Sequence, residues 1–236
     1  MTKILLSLML LALSLQAKEI YATFNVEAKH HADLAFTATG IVDKVNADVA
    51  SVVKKGDVLV SLENSDFKAS LAIARTVLKY AKRDYGRQVE VRKLVDAAKF
   101  DQYAFKYEQA KAQLDYHQAL YEKTLLRAPF DGVIYAKSVE AGDAVSGAMI
   151  RTVMKIQSLR ERKLILSVDQ KYWRVLKPGL TFRYSVDGDA TVYTGKISKV
   201  YPYADNANRK IRAEIEAKDF TPGLFGDGYI ILPDAK

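Results

Sequence analysis

Cysteine is absent from the 236 residues, which excludes disulfides, thiolate metal sites and a lipid anchor on a leader cysteine. Histidine occurs three times and tryptophan once. The sequence also lacks a Gly-rich phosphate loop, a nucleophile elbow and a carboxylate pair placed as acid and base, so no catalysis is expected. The formal charge is +8, but no helix-turn-helix or aromatic-basic motif accompanies it, and nucleic acid is not an expected partner. Beyond the N-terminus no stretch has the roughly 20 apolar residues of a membrane-spanning helix. The N-terminus itself has Lys3 followed by an apolar run over residues 4–15. That run has the length of a signal-peptide core, so residues 1–17 are read as a leader with cleavage after Ala17. Leu15, at the −3 position, is larger than usual there, and an uncleaved inner-membrane tether is the alternative reading.

What is present centres on residues 124–132, Thr-Leu-Leu-Arg-Ala-Pro-Phe-Asp-Gly. Pro129 cannot continue a helix and biases Ala128 toward an extended conformation. Asp131-Gly132 supplies a turn before the apolar pair Val133-Ile134. The chain then echoes an earlier stretch. Gly40-Ile41-Val42 precedes Val53 by the interval that separates Gly132-Val133-Ile134 from Val145, and Gly56 and Gly147 follow closely. Each half alone is too short to close a core, so the two read as one small β unit split by an insert. The match is imperfect: Ala50 stands where the second copy has Gly142, and the second copy is one residue shorter at Val145-Ser146-Gly147.

Within the insert, residues 66–124, the hydrophobic period changes from two to about three and a half. Asn64-Ser65-Asp66 offers N-cap chemistry. Phe100, Tyr103, Tyr107, Ala110, Leu114, His117, Tyr121 and Thr124 recur at alternating intervals of three and four, which is a heptad seam. Leu71, Leu78 and Tyr85 recur every seven, with Ala74 and Ala81 between them. Two such arms predict a helical hairpin about 40 Å long that turns near residues 94–99. The first arm is rich in Lys and Arg, which suits either a solvated face or lateral packing against acidic helices.

The split repeat, the inserted hairpin and the run from Arg127 to Gly132 together resemble the HlyD-like membrane fusion proteins, the periplasmic adaptors of tripartite efflux pumps. Val52-Val53-Lys54-Lys55-Gly56-Asp57-Val58-Leu59 resembles the first half-motif of that family, and the likeness covers most of the chain after Ala32. It implies a mixed α and β, elongated protein: an α-helical coiled-coil hairpin inserted in a split biotinyl/lipoyl-like β domain, followed by a small β-barrel. It implies a structural junction at Arg127, Pro129, Phe130, Asp131, Gly132 and Gly56, and no cofactor. The implied partners are an inner-membrane efflux transporter and an outer-membrane channel, met by copies of the chain in a hexameric ring. Family members that dock on a channel carry an Arg-Leu-Ser pattern at the tip. Here Leu94 matches the Leu, Glu90 stands at the Arg position and Asp101 at the Ser position. Glu90, Leu94, Lys99 and Asp101 are therefore the candidate docking residues.

The expected layout is a leader at 1–17, an N-terminal strand region at 18–32, β half-domains at 33–64 and 125–158 around a hairpin at 65–124, and a barrel at 159–236. Residues 163–168, 181–186, 191–200, 210–217 and 228–232 read as strands, and 170–176 as a short helix ended by Lys177-Pro178-Gly179. Pro222-Gly223 resembles the Pro-Gly turn of the adaptor barrel, and a membrane-proximal domain is expected to be reduced or absent. Two other readings compete. Lys44, in Asp43-Lys44-Val45, has the look of a biotin- or lipoate-bearing lysine, but it sits within a half-motif rather than at a hairpin. His30-His31 invites metal, but neighbouring ligands are missing. The sequence thus points to a periplasmic adaptor, held at the inner membrane by its partner. The short hairpin, the leader and the lack of a spanning helix favour a proton-driven RND pump over an ABC-type one.

Overall fold

Strict alternation of apolar and polar residues dominates both ends of the described chain, and a helical period replaces it in the middle. The computed structural model describes residues 19–94 and 96–233; the leader reading lies outside them. In chain order the elements are β1 (Glu19–Ala28), β2 (His31–Leu34), β3 (Gly40–Val45), β4 (Val52–Val53), β5 (Val58–Leu62), α1 (Ser65–Glu90) and α2 (Ala97–Glu122). There follow β6 (Leu125–Arg127), β7 (Gly132–Lys137), β8 (Ala144–Val145), β9 (Met154–Gln157), β10 (Glu161–Asp169), β11 (Thr181–Val186), β12 (Tyr193–Asp205), β13 (Lys210–Lys218) and β14 (Phe225–Ile231). Two units result, one from the described residues of 19–30 with 158–233 and one from residues 31–157.

The first unit is a barrel closed in the order β1-β10-β13-β12-β11-β14. Ile20, Ala22, Phe24 and Val26 of β1 alternate into a core shared with Leu164, Leu166, Phe182, Ile215 and Ile230. The sequence reading set this N-terminal strand before the β unit. In the structure it lies between β10 and β14, pairing antiparallel with both. Closure explains the placement, because without β1 two edges of the sheet would be left open. Residues 170–176 form a 3-10 turn over Gln170–Tyr172 and irregular chain, not a helix. Tyr172 and Leu176 turn inward onto the core while the backbone around them runs over the barrel. β12 outlasts its expected end at Val200. Register shifts between Ile197 and Lys199 and between Val200 and Ala204 accommodate Pro202, which cannot donate to a ladder.

In the second unit the two half-copies interlock by exchange. Gly40 of the first copy pairs with Val145 of the second, and Gly132 of the second pairs with Val53 of the first. The loop bonds repeat the exchange. Val42 N donates to Asp143 O at 2.9 Å and Gly142 N to Val42 O at 2.8 Å. In the other copy Ile134 N donates to Ser51 O at 3.0 Å and Ala50 N to Ile134 O at 2.8 Å. Ala50 takes the backbone of its counterpart, with φ +70° against +95° for Gly142. An alanine there is strained, because its Cβ crowds the backbone in the left-handed region. Val42, Val53, Leu59, Leu62, Leu126, Ile134 and Ile156 fill the core between two four-stranded sheets, β2-β9-β7-β4 and β6-β5-β3-β8.

Two glycines in this unit should respond in opposite directions to alanine. A Cβ at Gly132 would press on the backbone carbonyl of Gln157 and lie 3.1 Å from Ile156 Cγ1, so Gly132→Ala should cost about 1–3 kcal/mol. Gly86, inside α1, has open space around it, and Gly86→Ala should stabilise the helix by about 0.5–1 kcal/mol. Denaturant unfolding of the two variants measures both signs.

Candidate functional site

β5 and β6 are neighbours in one sheet, and the whole of α1 and α2 is inserted between them in sequence. The root of this insert is tied by buried polar groups. Asn64 Nδ2 donates to Thr124 Oγ1 at 3.0 Å, and that hydroxyl donates to Tyr121 O at 2.7 Å. Asn64 and Thr124 are both buried. The expected N-cap is therefore only positional, since Asn64 makes no side-chain cap bond and turns to the other arm. Glu63 substitutes for it by accepting from Ser65 N at 3.0 Å. Hydrogen bonds from the Ser65 hydroxyl and N–H hold the Glu63 carboxyl below the usual carboxylate range.

The junction residues converge on the same root. Arg127 Nε donates to Glu122 Oε2 and its Nη1 to Gly56 O, both at 2.9 Å. Gly56 N donates to Ala128 O at 2.8 Å, and Ala128 N to Asp57 O at 3.0 Å. Asp131 Oδ1 accepts from Lys55 N at 2.7 Å. Gly56 needs its φ of +92° to make this turn. Pro129 is exposed and Phe130 half-buried against the β core. The motif thus works as a clasp between the two half-copies.

Along the shaft the least exposed residues are those of the predicted seam. Leu71, Ala74 and Ala110 are buried, and Leu78, Tyr85, Tyr103, Tyr107, Leu114, His117 and Tyr121 are half-buried. Tyr85 stacks on Tyr107 at 5.3 Å, and Arg75 Nη2 donates to Gln118 Oε1 at 3.2 Å. These pairings set the arms antiparallel. Sequence reasoning missed the second apolar face: Ile73, Val77 and Tyr80 on α1 and Phe105 and Tyr116 on α2 stand in solvent. Val77, Tyr80 and Tyr103 border a groove of about 460 Å³. The spacing 73, 77, 80 carried this signal beside the seam. Among the described residues, Lys68, Lys79 and Lys82 of the basic arm form no ion pair, whereas Arg83 and Arg87 share Asp84.

At the tip, Glu90 closes α1, Leu94 lies in a 3-10 turn over Arg92–Leu94, and Lys99 and Asp101 fall in the first turns of α2. All four are exposed, Leu94 at 88%, and their side chains make no ion pair among the described residues. Two fixing contacts escaped the sequence reading. Asp96 caps α2 by accepting from Ala98 N at 3.0 Å and Lys99 N at 3.2 Å. The Arg92 guanidinium lies over the Phe100 ring at 4.1 Å. The bend is therefore held by capping and stacking, and the Leu94 side chain is left in solvent.

The competing candidates sit elsewhere. Lys44 is an exposed mid-strand residue of β3 opposite Ser61, not the apex of a turn. His31 lies in β2 opposite Gln157, and His30 N donates to Ser158 Oγ at 3.3 Å. Among the described residues no three His, Asp or Glu side chains gather as metal ligands.

A split β unit bearing a helical hairpin, in one chain with an antiparallel barrel, is the fold of the membrane fusion proteins. A crystal structure of a MacA-MexA chimeric protein containing the Pseudomonas aeruginosa MexA α-hairpin domain matches with a TM-score of 0.81 at 20% identity, over 93% of this chain and 81% of that one. A membrane fusion protein of Streptococcus pneumoniae matches with a TM-score of 0.70 at 16% identity, over 91% of this chain and 99% of that one. Residues 30–155 match the CzcB-like, barrel-sandwich hybrid domain, and the chain belongs to that family. By sequence it is 26% identical over 208 residues to the cobalt-zinc-cadmium resistance protein CzcB of Cupriavidus metallidurans, which covers 79% of the chain and 39% of that relative. The chain thus spans about two fifths of that relative's length.

Removing the buried hydroxyl at the root tests the tie between the arms. Thr124→Val leaves the Asn64 amide without its acceptor and should cost about 1–3 kcal/mol in denaturant unfolding. Thr124→Ser should restore most of it. Equal stability of the two variants would show that the hydroxyl contributes nothing.

Proposed function

We propose that this chain is a periplasmic adaptor, a membrane fusion protein that bridges an inner-membrane efflux transporter to an outer-membrane channel. The observation that carries the reading is the tip. Two 26-residue helices hold Leu94 almost fully in solvent, beside the unpaired Glu90, Lys99 and Asp101. An exposed leucine on a capped, stacked bend is poorly placed for the protein's own core and well placed for a partner's groove. In this reading the hairpin tip meets the channel, and the β unit and barrel face the transporter, of RND type, and neighbouring copies in a ring of six. The second apolar face of the shaft supports such lateral packing, and weak contacts repeated around a ring add through multivalency. The role is scaffolding at the inner membrane, without catalysis or cofactor. The resistance named for CzcB makes divalent metal cations the cargo class to test first.

The lack of native cysteine makes the docking test direct. A single cysteine at Leu94 or Lys99, crosslinked in cells, should capture an outer-membrane channel identifiable by mass spectrometry. Capture of the chain alone, or of nothing, would sink the docking role of the tip.

A further inference from the structure

The barrel has one end whose surface chemistry differs from the rest. β10 finishes there at Asp169, opposite Lys210 at the start of β13, and β11 begins there at Thr181, opposite Ile231 at the end of β14. Over this end runs the segment 170–177. Tyr172 and Leu176 of that segment are turned onto the barrel core. Trp173 and Val175 alternate with them and point away, 63% and 43% exposed. Cations flank the exposed pair. The Arg174 guanidinium lies 5.0 Å from the Trp173 ring, Lys171 Nζ lies 5.0 Å from the Tyr172 ring, and Lys177 follows. The turn carrying Arg209 abuts the segment, since Gln170 N donates to Arg209 O at 3.0 Å.

Among the described residues these cations have no carboxylate within ion-pair distance. Elsewhere on the barrel Lys29, Arg160, Lys163 and Arg183 each sit within 4 Å of an acidic group. Among the described residues, Lys171, Arg174, Lys177 and Arg209 form no ion pair. The nearby carboxylates are occupied. Asp169 caps the turn by accepting from Lys171 N, Asp205 accepts from Ala207 N and Asn208 Nδ2, and Glu19 binds Arg183. The end therefore presents a basic rim around an exposed indole.

We infer that this end of the barrel binds the surface of an anionic phospholipid bilayer, with Trp173 and Val175 entering the headgroup region and Lys171, Arg174, Lys177 and Arg209 meeting lipid phosphates. Indole rings partition to the membrane interface, where the apolar ring and the N–H are both satisfied. Unpaired Lys and Arg near the surface add electrostatic attraction to anionic lipid. A protein partner fits less well, because interface cores are depleted in lysine and here lysines border the exposed indole on both sides. The lipid contact is independent of what the hairpin tip docks against.

Trp173 is the chain's sole tryptophan, so intrinsic fluorescence reports this surface alone. The full chain is titrated with vesicles of phosphatidylglycerol and phosphatidylethanolamine, and separately with vesicles of phosphatidylcholine. The anionic vesicles should shift Trp173 emission to the blue and shield it from a soluble quencher, and added salt should reverse both. The double variant Arg174→Glu/Lys177→Glu, exposed at both positions, should keep its circular dichroism and bind at least about tenfold more weakly. Unchanged emission with anionic vesicles would overturn the inference and leave the surface to an acidic protein. An equal shift with both vesicle types that ignores the charge variant would also overturn it, because apolar insertion of the N-terminal run would then account for binding.

Discussion

The reciprocal pairing of Gly40 with Val145 and of Gly132 with Val53 is the constraint on which the β unit depends. Within its own half-copy each central strand pairs on one side only, β3 with β5 and β7 with β9, so each half supplies the second edge that the other lacks. Gly132 lies directly beneath the Gln157 carbonyl, and the close approach of those backbones leaves no room for a side chain. The hairpin is a permitted insertion because it leaves and re-enters through β5 and β6, which pair side by side. A long insert with its ends held together adds little closure entropy once its own helices have formed. The arms bring Asn64 to Thr124, and the sheet then needs only to zip from β5 onto β6.

Much of this was legible because two periodicities and one interval wrote it into the chain. The interval from Gly40 to Val53 recurs from Gly132 to Val145, and the heptad spacing stops at Thr124, directly before β6. The alternating spacing from Phe100 to Thr124 picked out the face that the structure leaves least exposed. The shared interval of the copies even singled out Ala50, whose counterpart is glycine, and the backbone there proves left-handed. The features that escaped share a different cause, which is dependence on a distant partner. β1 alternates like any strand, and only closure of the barrel tells which strands flank it. Asn64 reads as a cap until Thr124, sixty positions on, claims its amide. Pro202 argues for a strand end until two register shifts in β12 make room for it. The tip was found as a region, but Asp96 and Arg92, which fix it, were not singled out. Their roles are local geometry, an Asx-type cap and a ring contact, that composition alone does not distinguish from a solvated turn.

The seam of the hairpin shows how a two-helix insert can be stiff without a large core. Only Leu71, Ala74 and Ala110 are fully buried along it. Tyrosines carry the rest, with Tyr85 stacked on Tyr107 and tilted against Phe100. Aromatic rings at half-buried positions cover apolar area while leaving their hydroxyls in water. A hairpin of this kind tolerates full hydration, yet it keeps Ile73, Val77 and Phe105 outside the seam. In the proposed assembly such residues would pack against neighbouring helices.

Among the exposed apolar groups of this chain, which include Ile150, Val192 and Phe225 elsewhere, two sets lie beside charges. On the hairpin they line the shaft and end in Leu94, with charges around them that are either unpaired or paired weakly on the surface. On the barrel the exposed indole is flanked by cations that form no ion pair among the described residues, while Arg183 pairs with Glu19 and Lys163 with Glu27. Surface ion pairs contribute little to stability, so their pattern is better read as a record of which surfaces must stay neutral. Where cations are left without partners beside an aromatic ring, the missing counter-charge is supplied by whatever binds there. Single unmatched cations on the barrel wall, such as Lys196 and Arg212, need only water, whereas a cluster of them around an exposed indole is completed by an anionic surface.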